Sequence, residues 1–286
     1  METLFIINPK AGGNRGYAIW KSLEKRAMEL FPDAQFMMTK SKDHAEVIAT
    51  KNRDKRLIIV GGDGTFHEAL QGAVHGHGEM GIVPAGSGND LIRALGLPQN
   101  PREVLEILGQ KRVRTIDLGR IGHVYFVNGA GIGYDAKVTW DVNEKKGLFR
   151  GSMAYTAAII KNILFFPGIE VDIVGEDFSW QKKILCLTAG NGPYLGGGIP
   201  VVPQADFSDG LLSFSIIDDI SIPMRIRYLR KVLRGEHAGE SFVTMFHAKS
   251  LLVKGQRELL FHEDGEVYSA KTVLFEIVPQ ALRLLG

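Results

Sequence analysis

The sequence lacks the features that would set it apart from ordinary globular proteins. Its 286 residues include one cysteine, Cys186, which excludes an intrachain disulfide and is typical of a reducing compartment. Its 34 basic residues nearly balance 32 acidic ones, for a net charge of +2, so bulk charge does not favour nucleic-acid binding. No run reaches the roughly 18 apolar residues of a membrane span, and the start resembles no signal peptide. We therefore expect a soluble cytoplasmic protein without a nucleic-acid partner.

Glycine, by contrast, is abundant, and it has no collagen-like period. The chain contains 34 glycines, a share of about 12% against a usual ~7%. Glycine is needed where the backbone turns sharply or approaches another group closely. The glycines are therefore expected to mark turns and binding loops.

The first third of the chain alternates apolar strand patterns with helical ones. Buried strands are predicted at 3–8, 57–60 and 80–83, with apolar residues at helical spacing between them. This alternation predicts an α/β domain with a parallel sheet over residues 1–120, which residues 279–286 are expected to join. From about residue 115 short strands dominate, so residues 121–278 are predicted to form a second, mostly antiparallel domain.

Two glycine loops stand at the ends of predicted parallel strands. Gly61-Gly62-Asp63-Gly64-Thr65 follows one strand, and Gly86-Ser87-Gly88-Asn89-Asp90 follows the next. Ligands bind beyond the carboxyl ends of such strands, and the N–H groups of the helices that follow suit phosphate. The acidic residues Asp63 and Asp90 suggest Mg²⁺ between carboxylate and phosphate. Tight strand–helix turns are the alternative interpretation.

Other nucleotide motifs are missing. The sequence has no Gly-x-x-x-x-Gly-Lys-[Ser/Thr] loop and no protein-kinase set. Gly129-Ala130-Gly131-Ile132-Gly133 has Gly-x-Gly-x-Gly spacing and lies outside the predicted strand–helix alternation. A dinucleotide-binding role for this stretch is therefore not favoured.

The ordered set of loops resembles the diacylglycerol kinase catalytic-domain family of lipid kinases. Three residues depart from that pattern. Ala11 stands where the family usually has Ser, and His67 stands where it often has Asn. Ser213 stands where the family often has Asp, which puts a metal-binding role at position 213 in doubt. The matching segments are Asn8-Pro9-Lys10-Ala11-Gly12-Gly13, residues 61–65, residues 86–90, Ile116-Asp117-Leu118-Gly119, residues 131–136, residues 196–203 with 209–212, and Asp264-Gly265-Glu266.

The resemblance implies an NAD kinase/diacylglycerol kinase-like nucleotide-binding domain, a β-sandwich second domain, and ATP in the cleft between them. It implies transfer of the γ-phosphate of ATP to a hydroxyl of diacylglycerol or a related lipid, with Asp264 accepting or orienting the hydroxyl proton. The nucleotide-binding residues that it implies are Asn8, Lys10, Gly61, Gly62, Asp63, Gly64, Thr65, Ser87 and Glu266. The Mg²⁺ network that it implies comprises Asp63, Asp90 and Asp117, with Asp209 and the Leu211 carbonyl at a separate structural Mg²⁺ site.

Two alternatives stay open. Related glycine loops occur in NAD kinases and phosphofructokinases, so a kinase of a soluble substrate is one. A non-catalytic lipid-binding homologue that keeps the fold is the other. On spacing alone, Asp264-Gly265 predicts a hairpin turn. Which lipid is the acceptor is not readable from the sequence.

Weaker patterns concern the membrane and self-association. Residues 225–234 form a basic amphipathic pattern, which suits either an anionic membrane or a core-packed helix with a solvated basic face. Residues 147–150 and 165–168 are candidate lips of an acyl-chain entry. His75 and His77 favour a solvated turn over a metal site. Transient peripheral contact with a membrane that holds the lipid substrate, and homodimer formation, are the partner interactions considered.

Overall fold

The structure, a computed structural model, describes residues 1–144 and 162–286. The chain divides into two compact units. The first unit consists of Met1–Leu118, Gly196–Gly198 and Val278–Gly286. The second unit consists of Gly119–Leu195 and Ile199–Ile277.

A sheet of apolar strands forms the centre of the first unit. The strands β1 (Thr3–Ile7), β3 (Arg56–Gly61) and β4 (Glu79–Pro84) are buried along their whole length. β1 pairs in parallel with β3 and with the exposed edge strand β2 (Gln35–Met38), and β3 pairs in parallel with β4. Strands covered on both faces need continuous apolar runs, as β1 and β3 have. Their carboxyl ends therefore lie at one edge of the sheet.

Helices connect these strands. The turn-like α1 (Ala11–Asn14) contains Gly12 and Gly13 with left-handed backbone. The helix α2 (Gly16–Leu30) buries Trp20, Leu23 and Ala27, which recur at helical spacing. The remaining helices of this unit are α3 (His44–Lys51), α4 (Asp63–Ala73), α5 (Asp90–Ala94) and α6 (Pro101–Gly109).

The second unit is built mainly from antiparallel strands. Along its sheet, the order is β11 (Val243–Ala248), β10 (Leu212–Asp218), β9 (Ser179–Gly190), β7 (Gly129–Gly133), β12 (Ser250–Glu263) and β13 (Glu266–Leu285). β8 (Ile169–Val174) pairs with β12 and β9, and β6 (Val124–Phe126) pairs with β5 (Val113–Ile121). Side chains of alternate positions form its core, which includes Ile132, Leu187, Phe214, Phe261 and Phe275.

The described residues of the second unit include two helices, α7 (Tyr134–Glu144) and α8 (Ile222–Arg234). A short helical segment is also described at 162–165. α7 follows β7 directly, because Gly133 has a positive φ of 97° that turns the chain out of the strand. The predicted entry residues 147–150 lie outside the described residues, as do most of residues 152–165, for which the sequence pattern predicts a helix.

The structure departs from the predicted elements in several places. The sequence interpretation had no helix at α6, although Asn100 caps it and Pro101 occupies its first turn. It also divided β12 into two strands, whereas the structure has one strand with a register shift between Lys254 and Leu259. A bulge of this kind interrupts the two-residue alternation on which strand prediction depends. The Gly129–Gly133 stretch is a buried strand.

Candidate active site

In the first unit, the loops that follow β3 and β4 touch through glycine. The Ala85 N–H donates to the Gly61 carbonyl at 2.8 Å. A Cβ placed on Gly62 would lie 2.9 Å from the Gly86 Cα, closer than a side chain tolerates. Any larger residue at either position would therefore push the two loops apart. The glycines predicted to bind phosphate thus also bring two strand ends together.

Asp63 joins these loops through its side chain. Its Oδ2 accepts from the Asp90 N–H and its Oδ1 from the Leu91 N–H, both at 3.1 Å. These are the first N–H groups of α5, so the carboxylate occupies a helix N-terminus, where negative charge is stabilised. Asp63 therefore connects the loop after β3 to the start of α5.

Asp90 makes a corresponding contact with a distant stretch of chain. Its Oδ2 accepts from the Gly197 N–H at 2.9 Å, and its Oδ1 accepts from Arg93 at 3.1 Å. Arg93 packs against Gly198, where an added Cβ would lie 2.9 Å from the guanidinium carbon. Gly196–Gly198 belong to the first unit, although the residues before and after them in the chain belong to the second. The sequence interpretation did not assign a role to Arg93.

Asn8 connects the opening loop to the glycine loop. Its amide donates to the Thr65 Oγ1 at 2.8 Å, and its Oδ1 accepts from the Lys10 N–H at 3.0 Å. The side chains of Lys10 and Ser87 are exposed. The first turn of α4 has no side-chain cap. In that turn the Thr65 N–H donates to the Gly62 carbonyl at 3.0 Å, and the positive end of the helix dipole suits an anion.

Asp117 is buried and serves a different element. Its Oδ1 accepts from the Gln280 N–H at 2.7 Å, tying β5 to the first-unit part of β13. Within residues 1–144 and 162–286, no three His, Cys, Asp or Glu side chains are grouped so that they could hold a metal ion by themselves. The Mg²⁺ network of Asp63, Asp90 and Asp117 stays a prediction.

In the second unit, Asp264 lies on a two-residue hairpin. Asp264 and Gly265 have φ values of 44° and 97° and connect the paired residues Glu263 and Glu266. Positive φ at both central residues is the geometry that joins antiparallel strands most tightly, and Asp-Gly favours it. The hairpin expected from this dipeptide is confirmed. Glu266, which is predicted to bind nucleotide, follows the turn as the first residue of β13.

The Asp264 carboxylate accepts three backbone hydrogen bonds. Its Oδ2 accepts from the Val127 N–H at 2.7 Å, and its Oδ1 accepts from the Asn128 and Gly129 N–H groups at 2.9 and 3.0 Å. The Gly129 carbonyl in turn accepts from the Asp264 N–H at 2.9 Å. A carboxylate offers about four acceptor positions. The side chain is thus held in one orientation with limited remaining capacity.

Glu263, next to Asp264, is a buried acid that the sequence interpretation missed. Neither of its carboxyl oxygens has a hydrogen-bond partner among the described residues. Burial, with a smaller contribution from the charge of Asp264, raises the pKa of Glu263 to about 9. Glu263 is therefore neutral at pH 7. Sequence could have indicated it only through its place beside an assigned acid.

A second polar group lies on the opposite side of β12. Asp135 Oδ2 accepts from the Thr188 hydroxyl at 3.0 Å and lies 3.5 Å from the Nε2 atom of His262. Gly131 stands beneath this carboxylate and leaves no room for a Cβ. Of these residues, Gly131 and Asp135 lie in the segment 131–136, through which the sequence resembles the family. Thr188 and His262 lie outside the segments that carry the resemblance.

The predicted structural Mg²⁺ site lies in the loop before β10. Asp209 is exposed, and its Oδ1 accepts from the Leu211 N–H at 2.9 Å. Asp206 makes a similar local bond to the Ser208 N–H at 2.9 Å. These are turn contacts within one loop. Metal binding by Asp209 and the Leu211 carbonyl stays a prediction.

Two protein-family models match this chain, one in each half. Residues 2–121 match the model of the "Diacylglycerol kinase catalytic domain" family. Residues 128–286 match that of the "YegS C-terminal NAD kinase beta sandwich-like domain". The second unit is therefore a β-sandwich domain of that type.

Individual relatives cover most of the chain. A "Probable lipid kinase YegS-like" of Pseudomonas aeruginosa strain PAO1 is 33% identical over 80% of this chain and 75% of its own length. One of the same name from Pectobacterium atrosepticum is 28% identical over 98% of this chain and 94% of its own. A crystal structure of a diacylglycerol kinase from Bacillus anthracis strain Sterne is similar in fold, with a TM-score of 0.79, 23% identity, and coverage of 99% of this chain and 96% of that one. The chain belongs to the diacylglycerol kinase catalytic-domain family.

Proposed function

We propose that the protein is an ATP- and Mg²⁺-dependent lipid kinase that transfers the γ-phosphate to a hydroxyl of diacylglycerol or a related lipid. The observation that carries the proposal is the meeting of three loops at the uncapped start of α4. The family and the names of its relatives support lipid as the acceptor class. That ATP lies between the two domains stays a prediction.

The first unit offers phosphate a set of fixed donors. Gly64, at the start of α4, has open space around it, so an oxyanion can approach its backbone. The Thr65 oxygen accepts from Asn8, which leaves its hydroxyl proton free to be donated. Phosphoryl transfer depends on positioning and charge stabilisation more than on covalent chemistry. Rigid N–H and hydroxyl donors of this kind supply the positioning.

The acidic residues fit a hydrated Mg²⁺ better than a dehydrated one. Mg²⁺ usually keeps several waters and is bound through one or two carboxylates together with substrate phosphates. Because Asp63 and Asp90 already accept backbone hydrogen bonds, they would contact the ion through its bound waters. When bound, the ion would neutralise negative charge on the phosphates.

Asp264 would act on the acceptor hydroxyl. Its three backbone bonds hold the carboxylate in one orientation, and a carboxylate within hydrogen-bond reach of the acceptor would orient the hydroxyl proton. The raised pKa of Glu263 keeps that neighbouring acid neutral at pH 7. A general base in this position contributes about 10²–10⁴-fold to such reactions.

The test is product formation from γ-labelled ATP with purified full-length protein. The acceptor panel is diacylglycerol, a sphingoid base, phosphatidylglycerol, a polyprenol and NAD, with and without Mg²⁺. We expect label in one or more lipids and none without Mg²⁺. Label in NAD alone would assign the protein to soluble-substrate kinases. Nucleotide binding without any labelled product would favour a non-catalytic homologue.

A further inference from the structure

Helix α8 of the second unit presents an exposed face of unusual composition. Its thirteen residues include five basic side chains and no acidic one. Arg225, the one fully buried residue of the helix, donates to the carbonyls of Ile163 and Phe166 and pairs with Asp219. This arginine therefore anchors both the helix and the 163–166 segment to the sheet.

One stripe of α8 is apolar and exposed. Ile222, Ile226 and Leu233 are 46%, 55% and 41% exposed, and at 3.6 residues per turn they lie within about 40° of one another. Phe165, on the segment that Arg225 anchors, is 76% exposed. The buried contacts of the helix are made instead by Tyr228 and Val232. The exposed stripe is thus surplus to the packing of the second unit.

A basic stripe runs beside the apolar one. Arg227, Arg230 and Arg234 are exposed and spaced three and four residues apart, hence on one side of the helix. Within the described part of the chain, none of the three has an acidic partner within 4 Å, whereas Lys231 pairs with Glu240. Three cations therefore flank three large apolar side chains without internal neutralisation.

We propose that this face of α8, together with Phe165, docks on an anionic lipid bilayer. An amphipathic helix lies on a membrane by inserting its apolar side chains into the headgroup region, while the arginines beside them contact lipid phosphates. Charge complementarity identifies an anionic surface as the occupant. An acidic protein would satisfy the arginines, but it would not account for an exposed Phe165 on the segment that Arg225 anchors. The surface rests on the proposed function, since the lipid acceptor resides in such a bilayer.

The test uses vesicles that contain no acceptor hydroxyl, so that binding is separate from catalysis. Co-sedimentation of the full chain is measured with vesicles of phosphatidylcholine alone and of equimolar phosphatidylserine and phosphatidylcholine. We expect binding to the anionic vesicles only, weakening as salt is raised. Equal binding to both vesicle types, or to neither, would overturn the proposal while leaving the kinase proposal intact.

The arginines are tested by the triple substitution Arg227→Gln, Arg230→Gln and Arg234→Gln. We expect about 100-fold weaker vesicle binding, or about fivefold per arginine. The control is Lys254→Gln, Arg257→Gln and Lys271→Gln, which removes the same charge from exposed positions on β12 and β13. Equal loss in both variants would show that net charge alone, and not this face, determines binding.

The apolar stripe is tested by the triple substitution Phe165→Ser, Ile226→Ser and Leu233→Ser. Its control is Val47→Ser with Leu274→Ser, two exposed apolar residues elsewhere that are 49% and 40% exposed. We expect at least tenfold weaker vesicle binding for the first set and little change for the second, since each buried apolar side chain contributes to insertion. Unchanged binding, or a shift from dimer to monomer in sedimentation velocity, would overturn the bilayer as occupant.

Discussion

The two aspartates at the centre of the proposed reaction are held in different ways. Asp63, in the first unit, accepts two N–H groups from the start of a helix. Asp264, in the second unit, accepts three from an extended segment, and its own backbone is in the left-handed region. Both carboxylates accept with both oxygens, but Asp264 accepts one more N–H, and its left-handed backbone is one that few residue types adopt readily. The second acid is therefore the less replaceable of the two.

The sharpest way to break this comparison is Asp264→Asn. Asparagine tolerates the left-handed backbone, so the hairpin should form, but its amide nitrogen cannot accept. We expect kcat to fall about 10²–10⁴-fold, with a loss of about 1–3 kcal/mol in unfolding free energy from one orphaned N–H. The measurements are steady-state lipid phosphorylation and urea unfolding. The control is Asp172→Asn, an exposed residue of β8. An active Asp264→Asn enzyme would remove Asp264 from the proposed role.

The neighbouring acid gives a pH-dependent prediction. In the native state the pKa of Glu263 is raised to about 9 from its usual 4.5. The unfolded chain therefore releases the proton at lower pH, and native stability falls as pH rises from 4.5 towards 9. Glu263→Gln removes this loss, so the variant should gain stability relative to wild type across that range, by at most about 3 kcal/mol at pH 7. Urea unfolding at several pH values measures the gain.

The matched control for that experiment is Glu258→Gln, since Glu258 is exposed on the same strand. Its stability difference from wild type should be nearly independent of pH over the range in question. A Glu263→Gln variant whose stability tracks wild type at every pH would show that the glutamate is ionised in the native protein. The raised pKa assigned to Glu263 would then be wrong.

A smaller effect is expected at Gly131. A Cβ there would overlap the Asp135 carboxylate, so Gly131→Ala should lower the unfolding free energy by about 1–3 kcal/mol. Gly239→Ala is the control, because an added Cβ at Gly239 has no neighbour within 4 Å, and this change should be close to neutral. Chemical denaturation measures both. Equal stability of the two variants would show that the Asp135 side chain moves aside at little cost.

The smallest effect concerns the helix start at α5. Asp63→Ala removes the acceptor of two N–H groups and should cost about 1 kcal/mol of unfolding free energy, whereas Asp63→Asn keeps one acceptor oxygen and should cost less than Asp63→Ala. Thermal or urea unfolding without nucleotide checks this order. A cost of Asp63→Asn as large as that of Asp264→Asn would remove the distinction between the two aspartates.

The parts of the site that are local in sequence were the more accessible to prediction. The glycine loop 61–65 and the Asp264-Gly265 turn could both be anticipated, because a strand end, a helix start and a tight turn each depend on a few adjacent residues. The family and its two-part architecture followed from the order of such segments. Glu263 and Arg93 could not be anticipated, since burial and the contact with Gly198 depend on pairing with distant segments.

By itself, the sequence determined that glycine loops stand at the ends of apolar strands and that Asp-Gly turns the chain at residue 264. These properties depend on backbone freedom and hydrophobic pattern within short windows. Only the tertiary structure decided that Asp63 accepts hydrogen bonds from the start of α5, that Asp264 accepts them from residues 127–129, and that Glu263 is buried. Hydrogen bonds and burial between residues far apart in the chain exist only after strand register and loop contacts have been set.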